Sequence, residues 1–86
     1  MSPERLTELH DVLMRSATLL RLGMDARANE LVVRAVDGLA EIVPLFDEDL
    51  AQALGHLLNE LVAAQERGDT LRVADLFEFE LAPAFA

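Results

Sequence analysis

Residues 67 to 83 read RGDTLRVADLFEFELAP, and the way this stretch divides decides the fold. Gly68 followed by Asp69 is a stop and a restart: glycine enters the left-handed conformation that closes a helix, and Asp69 or Thr70 can cap the next one. That helix can run to about Leu81, where Pro83 begins to disturb it. At about 100° per residue, Val73, Ala74, Phe77 and Leu81 share one side, while Leu76 and Phe79 fall roughly opposite, next to Arg72. A last helix with apolar residues on two sides asks for contact with its own bundle and with something further.

Upstream of Gly68, the residues Leu50, Leu54, Leu57, Leu58, Leu61 and Val62 form an amphipathic stripe opposite Gln52, His56, Asn59 and Glu66. Asp47, Glu48 and Asp49 are a dense helix-start signal for it. Pro44 closes the preceding helix near Val43, because the residue before proline avoids the helical region. This second helix starts near Ala26 with Asp25 as its cap. Glu30, Arg34, Asp37 and Glu41 occupy its narrow polar side, and Leu31, Val32, Ala35, Val36, Leu39, Ile42 and Val43 cover most of the rest. It is expected to be buried on more than one side. Gly38 within it costs about 1 kcal/mol relative to alanine, which the close approach of a neighbouring backbone would offset. The first helix opens with Ser2 as cap and Pro3 at its first position. It lines up Leu6, Leu9, Leu13, Ala17 and Leu20, carries Arg21 near its C-terminus, and stops at Gly23.

Four helices joined by short connections predict an all-α, antiparallel up-down-up-down four-helix bundle built from two αα-hairpins, within a single domain spanning 1–86. A weak internal echo agrees. An offset of 45 residues superposes Gly23 on Gly68, Arg27 on Arg72, Glu30 on Asp75 and Leu31 on Leu76, a Gly-x-x-x-Arg-x-x-acid-Leu pattern. Exchange of the fourth helix between subunits is the main alternative.

A chain of 86 residues removes only about 60 to 65% of its unfolded surface from water, so its core is thin and association would help it. Sixteen acids against seven arginines give a net charge of −9, which repels phosphate backbones and anionic lipid. Neither nucleic acid nor membrane is expected as a partner. Residues 44 to 86 hold nine of the acids and two of the arginines, so this half would favour a basic partner. The absence of cysteine removes disulfides and thiolate metal sites and suits a reducing cytoplasm.

No catalytic constellation emerges. His10 and His56 lack a glutamate three residues earlier, Thr7 and Ala53 standing there, so the Glu-x-x-His pairs of di-iron bundles are missing. His56 and Glu60 share the polar side of the third helix and read as a solvated pair. The carboxylates cluster at helix starts and on surfaces, where capping and solubility use them, and the glycines are isolated rather than gathered in a phosphate loop. No metal, cofactor or enzymatic activity is expected. What remains is a surface: Leu76 and Phe79, bordered by Arg72, Asp75, Glu78 and Glu80, as an apolar spot in an acidic ring. Three readings of it stand: a homodimer joint, which is preferred; a site for a basic amphipathic helix of another protein; or plain burial inside the bundle.

GDTLRVADLFEFEL, residues 68 to 81, resembles the Gly-Asp…Ala-Asp-Leu…Glu-Tyr-Glu-Leu segment that closes small bacterial all-helical proteins of unassigned function, a group loosely similar to flagellar export chaperones. Thr70 and Phe79 stand where those proteins tend to carry tyrosine. The resemblance covers the last fifth of the chain and implies a cytoplasmic helical protein that binds other proteins and has no catalysis. Asp69, Asp75, Leu76, Glu78, Phe79 and Glu80 are the matching positions. Together these readings predict a non-enzymatic protein–protein interaction module, working as a homodimer.

Overall fold

A computed structural model of the chain describes residues 3–85, and of Asp25 the backbone alone. Four helices form an up-down-up-down bundle: α1 (Pro3–Arg21), α2 (Asp25–Ile42), α3 (Glu48–Glu66) and a fourth segment that begins as α4 (Thr70–Asp75). This fourth segment continues as a π-helical stretch (Leu76–Leu81) and ends in a 3-10 turn (Ala82–Phe85). None of the described helices is long and apolar enough to cross a membrane. The cap expected of Ser2 lies outside the described residues.

The two glycine stops behave as read, and they do so identically. Gly23 and Gly68 take φ of +75° and +70°, open to glycine at no steric cost. Around the first, Gly23 N–H donates to Leu20 C=O at 3.1 Å and Met24 N–H to Leu19 C=O at 3.0 Å. Around the second, Gly68 N–H donates to Gln65 C=O at 3.1 Å and Asp69 N–H to Ala64 C=O at 2.9 Å. Both are Schellman motifs, offset by the same 45 positions as the sequence echo. Asp47 caps α3 by accepting from Leu50 N–H at 2.9 Å, and Asp69 caps α4 by accepting from Arg72 N–H at 3.2 Å. Asp25, expected as a cap, is instead the first helical residue: Met24 occupies the cap position, and its carbonyl accepts from Ala28 N–H at 2.9 Å.

The helix buried on two sides is α1, not α2. Leu9, Leu13, Ser16, Ala17 and Leu20 are all buried, an arc wide enough to pack against α2 on one flank and the whole fourth segment on the other. Ser16 fits this crowded position because its hydroxyl donates to Val12 C=O at 2.7 Å. In α2 the buried residues Ala28, Val32, Ala35, Leu39 and Ile42 recur at four- and three-residue steps, a single face, while Val33 stays 59% exposed. Gly38 does answer a close approach, but by a side chain: a Cβ there would stand 3.3 Å from Leu9 Cδ1. α3 packs against the fourth segment, and α2 and α3 make no comparably close approach to each other. At the end away from the glycine turns, Phe46 and Phe85 close the bundle with ring centroids 6.2 Å apart.

Replacing Gly23 or Gly68 by alanine is expected to lower the unfolding free energy by about 1 to 2 kcal/mol each, the cost of a left-handed L-residue. Urea denaturation followed by circular dichroism measures it, and an unchanged midpoint would contradict the assigned turns.

Candidate interaction surface

The surface anticipated on the fourth segment exists in part, and the reason lies in how that segment winds. An α-helix rotates about 100° per residue; a π-helix, closed by i→i+5 bonds, rotates less. Here Ala82 N–H bonds Phe77 C=O, five residues back. The slower rotation draws Leu76, Phe77 and Leu81 onto one side, and all three are wholly buried together with Val73 and Ala74. Leu76 is therefore a core residue and cannot be the exposed partner contact expected of it. Phe79 alone of the apolar residues in this stretch is turned outward, 62% exposed.

Leu71, Asp75 and Phe79 follow one another at four-residue steps on the outer side, and Leu71 is 65% exposed. From α1, Arg21 reaches across to this line. Its Nη2 donates to Asp75 Oδ1 at 2.8 Å and its Nη1 to Glu78 Oε1, while the guanidinium carbon stands 5.5 Å from the Phe79 ring centroid. A guanidinium over an aromatic face is an electrostatic contact with the ring quadrupole, and the planar fork lets one side chain hold two carboxylates and a ring together. Asp75 first, then Glu78, lifts the Arg21 pKa above its ordinary value against an opposing desolvation. On the other flank, Arg72 Nε donates to Glu60 Oε1 at 3.1 Å. Glu60 chiefly, with Glu80 and Asp75 adding attraction, raises the Arg72 pKa.

Of the six expected contact residues, the structure thus brings Asp75, Glu78 and Phe79 together around Arg21. It turns Arg72 toward Glu60 on α3 with Glu80 in its field, and sends Leu76 inside. The acidic ring is largely answered within the chain. Arg21 is the residue that sequence reasoning missed, having been read only as a cation near a helix C-terminus. Its partners lie 54 and 57 positions away, beyond any local pattern, although two acids three residues apart on an exposed face were a hint that a cation should meet them.

Among the described residues no three His, Cys, Asp or Glu side chains gather so as to hold a metal ion. A groove of about 600 Å³ runs between α1 and α2, floored by Leu9, Val12 and Gly38 and rimmed by charges of both signs. A family model described as a domain of unknown function (DUF8042) matches residues 4–86. No curated protein and no solved structure matches the chain.

Truncating Leu76 to alanine is expected to cost about 2 to 5 kcal/mol of stability, as buried leucines do. Phe79→Ala should cost less than about 1 kcal/mol, being a surface change. Parallel urea titrations separate the two, and equal losses would contradict this assignment of inside and outside.

Proposed function

The chain belongs to the DUF8042 family, and we propose that it is a non-enzymatic protein–protein interaction module that works as a homodimer. The observation that carries the reading is Phe79, a large aromatic left 62% exposed with the Arg21 guanidinium of α1 standing over its ring. Aromatic and arginine side chains are the commonest anchors of protein interfaces, and a side chain already ordered loses less entropy on binding. Association suits a thin core in which Val33, 59% exposed, and Val62, 45% exposed, also remain in water.

Binding of a basic amphipathic helix, in an export or motility setting, is the alternative. It has less support than the sequence lent it, because Asp75 and Glu78 are engaged by Arg21 and Glu60 by Arg72. A basic segment would have to displace these arginines before gaining their carboxylates. Nucleic acid and membrane surfaces are poor partners for a net charge of −9, and the cysteine-free composition suits the cytoplasm.

Light scattering coupled to size exclusion at about 10 μM is expected to return twice the chain mass of 9.5 kDa, a midrange affinity for a specific interface. A mass of 9.5 kDa at every concentration up to millimolar would overturn the homodimer.

A further inference from the structure

Most of the arginines in this acidic chain are held by its own carboxylates: Arg5 by Glu41, Arg21 by Asp75 and Glu78, Arg67 by Asp69, and Arg72 by Glu60. Among the described residues Arg15, Arg27 and Arg34 make no ion pair. Arg15 and Arg34 both line the groove of about 600 Å³ between α1 and α2. Each has a carboxylate within helical reach, Asp11 four residues before Arg15 and Asp37 three after Arg34, yet neither pair closes. Asp11 reaches only His10, at 3.6 Å, and Asp37 makes no ion pair with any described residue.

The register of the hairpin arranges these charges. Leu9 packs against Gly38 and Arg5 pairs with Glu41, so along the antiparallel helices Asp11 falls level with Val36, beside Asp37. Arg15 falls level with Val32, half a turn from Arg34. The groove therefore carries two rungs of like charge: Asp11 with Asp37 and, about one turn nearer the glycine reversal, Arg15 with Arg34. At 1.5 Å per residue the rungs lie about 4.5 to 6 Å apart. Opposite signs across the hairpin close an ion pair, as Arg5 and Glu41 do at its other end. Like signs facing across a groove disfavour the isolated chain and are relieved by opposite charge brought from outside.

We infer that this two-signed groove is the joint of the homodimer, occupied by the same groove of a second copy across a two-fold axis that passes between the rungs. Such an axis reverses the ladder, so the arginine rung of each copy meets the aspartate rung of the other. Charge selects this occupant. A wholly basic or wholly acidic partner satisfies one rung and opposes the other, whereas a second copy satisfies both. The net charge of −9 lies mostly elsewhere: the groove is lined by Arg5, Arg15 and Arg34 against Glu8, Asp11, Asp37 and Glu41, a near balance. Val12, half-buried, sits at the level between the rungs and supplies the apolar contact at the axis. The inference rests on the homodimer reading, places its joint on α1 and α2, and leaves Phe79 on the fourth segment to other contacts.

Charge reversal at these exposed positions tests it. Arg15→Glu with Arg34→Glu makes both rungs acidic, and Asp11→Arg with Asp37→Arg makes both basic. Each double variant is expected to weaken self-association about a hundredfold or more while keeping its helicity by circular dichroism. An equimolar mixture of the two is expected to restore a one-to-one dimer in light scattering. Overall charge predicts otherwise: the second variant is less acidic than the wild type and would associate more tightly, and the mixed pair carries the same total charge as two wild-type chains. Arg27→Glu, at an unpaired arginine outside the groove, is expected to leave the dimer intact. A wild-type monomer overturns the homodimer reading and this inference together. A wild-type dimer that persists in either reversal variant, is lost with Arg27→Glu, or fails to re-form in the mixture overturns only the inference.

Discussion

The bundle depends on a change of pitch. Beyond Asp75 the chain must place Leu76, Phe77 and Leu81 against α1 and α3 at once, and a regular α-helix would spread them over too wide an arc. The π-helical stretch narrows that arc, so three large side chains enter one core instead of two entering and one facing water. Buried leucines and phenylalanines each contribute about 1.5 to 3 kcal/mol by leaving water, which is a large share of what an 86-residue chain can retain. Phe79 faces outward under either winding, so the change of pitch moves Leu76 and leaves Phe79 where a regular helix would put it.

Much of the fold was legible because its punctuation is local. Gly68 with Asp69, Gly23, and Asp47 before Glu48 each act within one turn of chain, and the structure returns them as read. Val73, Phe77 and Leu81 kept their side because both windings agree about them. Leu76 did not, since an α-periodic wheel cannot represent a π turn and no residue of LFEFEL announces one. The start of α2 escaped for a different reason: Met24 caps with its backbone carbonyl alone, which leaves no side-chain signal to read, whereas Asp25 supplies a false one.

The surface was legible only in its composition. Acids near Phe79 were visible, but their neutralisation depends on Arg21, brought in by tertiary packing. For the same reason the outer stripe of α2 looked like ordinary burial. Val36 and Val43 were counted with the core residues and are partly packed against it, whereas Val33, which that reading left out, stays 59% exposed. Electrostatics gives the side around Phe79 its character: Arg21 is held between Asp75 and Glu78, two carboxylates to one cation, beside the ring.

The two Schellman reversals sit at the same pole, so the opposite pole has a single covalent crossing, the segment from Val43 to Asp47. In topological terms the molecule is a pair of clasped hairpins on one tether. Pro44, with its fixed φ, and the contact of Phe46 with Phe85 hold this short crossing against the end of the fourth segment.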